Sequence, residues 1–461
     1  MFTENIYTER RNRLQEQVGS GLILLPGNGE SPMNYNDNVY PFRQDSDFLY
    51  YFGIDRPDLA GVIDIDEQKA ILFGDELTIE HVVWMGPQPT IADQGRQVGV
   101  PQTEPLGELG SYLQKAQGSG RHIHYLPPYR GENRIRMANW LSCELSALQA
   151  SELLIKAVIA QRSIKSEEEL QEMEKALAIT RQMHHTAMKA SRPGIKEAEL
   201  AGVVEGIALA TEGHLAYPAI LTVNGQTLHN HYHGNTLKSG QLVLGDFGAE
   251  APYSHYASDI TRTFPVDKAF TRQQRDIYQI VLDAQMKVIE ALKPGVRFLD
   301  MHLLSAKVIT DGLQQLGLMK GNAEDAVEAG AHALFFPHGL GHMIGLDVHD
   351  MEGLGEDLVG YGDELERSSQ FGLKSLRLAR SLQEGFVLTV EPGLYFIPEL
   401  IALWKQEGRF ADFVDYEKLG PFLGFGGVRI EDNVLITSDG YRVLGPPIAK
   451  SVEEIEALKG W

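Results

Sequence analysis

Residues 241–266 read QLVLGDFGAEAPYSHYASDITRTFPV. Two β-like runs flank a turn near Ala251-Pro252-Tyr253, which predicts an antiparallel hairpin. With the turn centred between Pro252 and Tyr253, Asp246 and Asp259 are expected to face each other across it. Two facing carboxylates repel. The hairpin tolerates them if a cation lies between them, if one is protonated, or if both reach solvent. A metal is the most economical of the three explanations.

Downstream, residues 335–350 read FFPHGLGHMIGLDVHD and hold His338, His342 and His349 within twelve residues. On a helix, His338 and His342 would share a face like a zinc-protease pair, but Gly339 and Gly341 argue for a loop or strand approach instead. Any one of these histidines could be a hydrogen-bonded structural residue; three in a Gly-rich apolar stretch point to a site. Two strand-like segments follow, FVLTVEPGLYF (386–396) and GFGGVRIEDNVLIT (424–437). Apolar residues flank Glu391, and strand alternation puts Arg429 and Glu431 on one face, with Val428 and Ile430 on the other. A carboxylate amid such runs is not expected to be buried unpaired. Asp246, Asp259, His342, Glu391 and Glu431 together supply four carboxylates and one imidazole. Four negative charges nearly balance two divalent cations, and the oxygen-rich set favours Mn²⁺, with Zn²⁺ and Co²⁺ open.

The chain has 461 residues, enough for two or three domains at about 150 residues each. Short apolar runs alternating with polar or helical stretches predict an α/β domain over residues 1–160. Ser166 and Glu169 form a capping box, and Leu170, Met173 and Leu177 follow at helical spacing, so a helix opens a second domain over 161–461. That domain contains an echo. Arg192-Pro193-Gly194-Ile195-Lys196 recurs as Lys293-Pro294-Gly295-Val296-Arg297, an offset of 294 − 193 = 101 residues. Two copies of one helix, Pro-Gly turn, helix unit would make pseudo-symmetric halves with a cleft between them.

The formal net charge is −22, a field that disfavours nucleic acid or anionic membrane as partner. No run of 18 apolar residues occurs, and the start, MFTENIYTERRNRLQEQ, has no signal-like apolar region. The one cysteine, Cys143, excludes an intrachain disulfide and suits a reducing, cytoplasmic setting.

The set LGDFG, ASDITRTFPV, PHGLGHMIGLDVHD, VLTVEPGLYF and GVRIEDNVLIT resembles the Xaa-Pro peptidases of the pita-bread, methionine aminopeptidase-like metallopeptidase family. YPFRQDSDFLYYFGIDRPD (40–58) resembles the start of the amino-terminal domain shared by aminopeptidase P and prolidase. The resemblance implies an N-terminal creatinase-like α/β domain, a pseudo-symmetric pita-bread catalytic domain and a homodimer. It further implies two metal ions, manganese in the usual case, on Asp246, Asp259, His342, Glu391 and Glu431, with Glu391 also the general base. His338 and His349 match the pair that orients substrate and stabilises the tetrahedral intermediate, and His229 in NGQTLHNHYHGN matches a residue near the substrate proline, with His231 and His233 as rivals. The two aspartates are separated by 259 − 246 = 13 positions instead of the family's eleven, which keeps side-chain parity in a longer hairpin.

Between His349 and Glu391 lies an acidic stretch, DMEGLGEDLVGYGDELERSS (350–369), expected to be a solvated insertion and not an additional metal site. Its tail, LKSLRLAR, is similar to prolidase, where the arginine matching Arg377 binds the free carboxylate of a dipeptide, a bidentate task suited to guanidinium. The implied activity is hydrolysis of the imide bond between an N-terminal residue and proline in small peptides. Xaa-Pro dipeptidase is favoured over aminopeptidase P on Arg377. A non-catalytic pita-bread binding module, or the metal-free creatine-hydrolysing relative, would lack the five ligands that this chain retains.

Overall fold

The computed structural model describes residues 2–363 and 365–460. The chain divides into two compact units, one ending at Arg162 and the other starting at Ser163. In the first, four apolar runs become strands of a five-stranded mixed sheet: β1 (Leu22–Pro26), β2 (Ala60–Asp64), β3 (Lys69–Phe73) and β5 (Ile123–Tyr125), with β4 (Gln102–Glu104) at one edge. Their order is β4-β3-β2-β1-β5. Both faces of β1 are buried, as a sheet covered on two sides requires. Leu22, Leu24, Val62, Ile71 and Phe73 pack with Leu109, Leu113 and Met137 from helices beside the sheet.

The second unit is built twice over. Helix Glu167–Ala190 opens with the expected capping box: Ser166 Oγ accepts from Glu169 N and the Glu169 carboxylate from Ser166 N. Helix Glu197–Ala210 follows it, then β6 (Ile220–Thr222), β7 (Leu242–Asp246) and β8 (Thr261–Pro265). The second copy runs through helices Arg272–Ala291 and Phe298–Gln315 to β9 (Val387–Val390), β10 (Gly393–Tyr395), β11 (Gly427–Arg429), β12 (Asp432–Ile436) and β13 (Tyr441–Val443). The sheets are β6-β7-β8, β13-β12-β9 and β10-β11, all antiparallel.

The Pro-Gly echo is structural. Gly194 and Gly295 take φ of 93° and 84°, a left-handed conformation that glycine adopts at little cost. Gly194 N donates to Leu237 O and Leu237 N to Ile195 O; Gly295 N donates to Leu382 O and Leu382 N to Val296 O. The returning strands are offset by 382 − 237 = 145 residues and the turns by 101, so the second half carries 145 − 101 = 44 more residues between turn and strand. The histidine segment 335–350 lies between the second turn and its returning strand.

The predicted hairpin is present but its register differs from the expectation. Asp246 pairs with Thr261, not with Asp259. The tip needs four residues, Pro252–His255, closed by Ala251 N to Tyr256 O and His255 N to Ala251 O, and Tyr253 and His255 both take positive φ there. The pairing centre therefore moves by one residue, and the two aspartates become diagonal neighbours on one face. The acidic stretch is also corrected: Val359 and Tyr361 are buried, and Tyr361 packs with Leu376 and Ala379, so this insertion is partly packed and not simply solvated.

Candidate metal centre

Each candidate carboxylate sits where a strand ends. Asp246 closes β7 and Asp259 precedes β8. On the other side, β9–β12 and β10–β11 share one antiparallel register, broken at Glu391-Pro392 opposite Ile430-Glu431. Pro392 has no N–H to give to a ladder, so strand pairing lapses and Glu391 and Glu431 are released from it at the same level. His342 is delivered by no helix. Its segment runs beside β9, with Thr389 N donating to His342 O and Glu391 N to Leu340 O. Gly341 permits this approach, since a Cβ there would lie 2.0 Å from Thr389 O.

Asp259, His342 and Glu431 are buried and offer ligand atoms all within 4.8 Å of one another, the one such group among the described residues. His342 Nε2 is 3.4 Å from Asp259 Oδ2 and 3.7 Å from Glu391 Oε1. Its Nδ1 lies 3.0 Å from Met343 O. A carbonyl only accepts, so Nδ1 carries a proton and Nε2 is the nitrogen turned toward the carboxylates, the one available to a metal ion. Glu431 Oε2 accepts from Thr261 Oγ1 at 2.7 Å, while Glu431 Oε1 is buried with no hydrogen-bond partner among the described residues. Asp246 and Glu391 flank this trio beside Arg429, whose NH2 donates to Asp246 Oδ2 and whose Nε is 4.0 Å from Glu391 Oε2. Tyr217 Oη contacts both Asp246 and Asp259. One O–H cannot donate to two carboxylates, so without a cation one of them must carry a proton.

Burial dominates the electrostatics. It pushes Glu431 well above the usual range, reinforced by Asp259 and Glu391, and raises Asp246. It lifts Glu391 to about 7 against the pull of His342 and Arg429. Burial also presses on Asp259, but hydrogen bonding from His342 leaves that carboxyl lowered, and His342 is raised by the same contact despite its own burial. Three carboxyls this reluctant to ionise, one of them with an oxygen left without a hydrogen-bond partner among the described residues, fit divalent cations in place of protons.

The other candidates surround this group. His338 Nδ1 lies 2.7 Å from Gly339 O and its Nε2 2.8 Å from Tyr395 Oη, which also accepts from Arg429 NH1 at 2.9 Å. His338 is therefore the Nδ1–H tautomer, taking the Tyr395 proton on Nε2, and burial lowers it to about 3. His349 stacks edge-on against His342, ring centroids 4.3 Å apart, and its Nδ1 is 2.5 Å from Glu352 Oε2. Burial, then His342 and Arg377, lower it to about 3. His229 is lowered by burial and feels Arg429, Asp246 and Arg377. Arg377 Nε faces Glu352 Oε2 at 3.5 Å and Glu356 Oε1 at 3.4 Å, with no hydrogen bond among the described residues.

Sequence reasoning missed Tyr217, Thr261, Glu352 and Tyr395. For two of them a signal existed: Thr261 shares strand parity with Asp259, and Tyr395 with Glu391. Among the described residues, no helix is long and apolar enough to cross a membrane.

Residues 171–438 match the profile of Metallopeptidase family M24, and residues 7–124 that of the aminopeptidase P N-terminal domain. The chain is 35% identical to the Xaa-Pro dipeptidase of Homo sapiens over 460 residues, covering 97% of this chain and 90% of that one. It is 34% identical to a probable Xaa-Pro aminopeptidase of Sordaria macrospora, covering 95% and 91%. A solved structure of zinc-substituted Escherichia coli aminopeptidase P in complex with product aligns with a TM-score of 0.81 at 29% identity, covering 100% of this chain and 98% of that one.

Proposed function

The chain belongs to metallopeptidase family M24, and from that premise we propose that it hydrolyses the imide bond between an N-terminal residue and proline, with Xaa-Pro dipeptides as preferred substrates. The observation that carries this reading is the buried Asp259, His342 and Glu431 group, in which Glu431 Oε1 has no hydrogen-bond partner among the described residues. Divalent cations held by these three with Asp246 and Glu391 would polarise the scissile carbonyl and lower the pKa of water. Two Mn²⁺ ions fit the oxygen-rich donor set best, with Zn²⁺ or Co²⁺ as the alternatives.

Glu391, beside His342 and Arg429 at the edge of this group, takes a proton from the attacking water and returns it to the proline nitrogen as the C–N bond breaks. Without that proton the leaving group would be an amide anion. His349 presents Nε2 to the reacting centre because Glu352 occupies Nδ1. His338 exchanges its bond to Tyr395 for one to substrate, while Arg429 keeps Tyr395 and Asp246 in line. His229 lies toward the proline, and Arg377 takes the free carboxylate of a dipeptide, an anion that its unsatisfied Nε–H can serve.

All of these residues lie in the catalytic segment 161–461, with 1–160 as a separate amino-terminal domain. In that domain, helix Ile79–Met85 exposes Ile79, Val83, Trp84 and Met85 to solvent, a surface suited to covering in a homodimer. The single cysteine suits a cytoplasmic setting.

Cleavage of longer peptides, as in the Xaa-Pro aminopeptidases, is the second reading, favoured by the two carboxylates already beside Arg377. Paired assays of the Mn²⁺-loaded protein on Xaa-Pro and Xaa-Pro-Xaa separate the two. Arg377→Ala is expected to lower kcat/KM on the dipeptide roughly 10 to 100-fold and to leave any tripeptide cleavage nearly unchanged. A parent that prefers the tripeptide, with Arg377→Ala silent on both, would replace the dipeptidase reading with the aminopeptidase one.

A further inference from the structure

One carboxylate oxygen serves two groups of the candidate site. Glu352 Oε2 is 2.5 Å from His349 Nδ1 and 3.5 Å from Arg377 Nε. The first contact is a hydrogen bond; the second is not, and Arg377 Nε, although buried, stays unsatisfied among the described residues. The oxygen is thus divided unequally, bonded to the histidine and drawn electrostatically by the arginine. Glu352 opens a 3₁₀ turn, Glu352–Leu354, directly after Met351. Met351 is buried and takes φ of 62°, a left-handed conformation that a residue with a Cβ rarely adopts. That turn aims the Glu352 side chain back at His349, three positions earlier.

We propose that Glu352 is a positioning and specificity residue that couples substrate carboxylate binding at Arg377 to the orientation of His349. The inference rests on the dipeptidase reading given above. When a dipeptide brings its own carboxylate to Arg377, the guanidinium no longer draws on Glu352, whose oxygen then belongs wholly to the His349 Nδ1–H. The ring is held with Nε2 toward the reacting centre. A longer peptide brings a neutral amide, Glu352 remains divided, and His349 is held less well. Dipeptides are thereby favoured through kcat, beyond what binding alone provides. Glu352 also weakens the ground-state pull of Arg377 on the substrate carboxylate.

The test is Glu352→Gln in the metal-loaded protein, compared with the parent and with Glu356→Gln, whose carboxylate faces Arg377 from 3.4 Å. Glu352→Gln is expected to lower kcat on Xaa-Pro about 10-fold or more, the loss typical of a charge-assisted partner. Its KM should fall about 2 to 5-fold as Arg377 gains free charge, and binding of the product proline, measured by calorimetry, should tighten by the same factor. Glu356→Gln should reproduce the tighter proline binding without the kcat loss. Glu352→Asp, which keeps the charge and shortens its reach, should keep the parent's KM and lose part of kcat. If Glu352→Gln left kcat unchanged, or if Glu356→Gln lowered kcat equally, the coupling would be overturned with the dipeptidase reading intact. If the parent itself failed to cleave Xaa-Pro, both would fall together.

Discussion

Glu431 has one carboxylate oxygen on Thr261 and the other on no partner among the described residues, in a position where almost no water reaches. A buried oxygen without a partner is expensive, so its presence argues for an occupant. The division of labour among the histidines can be tested from the same geometry. His342→Ala removes the ring whose lone pair faces Asp259 and Glu391, so metal content, measured by elemental analysis, is expected to fall before kcat per bound metal does. His338→Ala and His349→Ala should show the reverse, with kcat lost and metal retained; equal metal loss in all three would mean that the roles are wrongly divided. Glu391→Gln keeps volume but removes the proton acceptor, and kcat on Xaa-Pro should fall by about 10² or more. A kcat within about twofold of the parent would leave Glu391 with no part in the proton transfer.

At the scale of elements, the site depends on strand ends and on the one irregular segment that reaches them. Gly341 lets the His342 segment lie against β9, and Gly341→Ala would drive a Cβ to 2.0 Å from Thr389 O, an atom fixed in the backbone. The expected outcome is a loss of about 1 to 3 kcal/mol in denaturant unfolding, as overpacking commonly costs, together with weaker metal retention. Unchanged stability and metal content would show that the segment can shift without consequence. Much of this level was legible in the chain itself. Alternation around Arg429 and Glu431 placed both on one face because a strand has period two, and Ser166 with Glu169 marked a helix start by a purely local rule. The hairpin register was not legible, because moving a turn centre by one residue depends on hydrogen bonds at the tip that composition does not reveal. Tyr217, which contacts both aspartates, and Glu352, which reaches back to His349, owe their positions to loop geometry that no periodicity encodes.

Across the whole molecule, the two halves of the second unit place unlike residues at like positions. At the 145-residue offset of the returning strands, Asp246 corresponds to Glu391, and the registers set Thr261 opposite the one and Glu431 opposite the other. Duplication thus brings carboxylates from both halves to one cleft, where their charge must be met by protons or cations, and this makes stability depend on pH and metal together. In the metal-free protein, Glu391 is raised to about 7, and Glu431 and Asp246 are raised by burial, whereas the unfolded chain releases those protons near the ordinary values of 4.5 and 3.8. At these three groups the native state holds more protons, so their contribution to stability falls as pH rises from about 4.5 through 7, while buried histidines such as His338 and His349, lowered to about 3, contribute in the opposite sense up to about 6.5. His342, raised despite its burial by Asp259 and Glu391, works in the same direction. Asp259 is lowered instead, so its contribution is already complete above its ordinary 3.8 and does not offset the fall. Divalent cations replace the protons, so the stabilisation they bring should grow with pH over the same window. The rise in melting midpoint that Mn²⁺ brings to chelator-treated protein is expected to be larger at about pH 8 than at about pH 6. A metal-induced shift that ignores pH would mean that these carboxylates are ordinary solvated acids and that no cation is built into the fold.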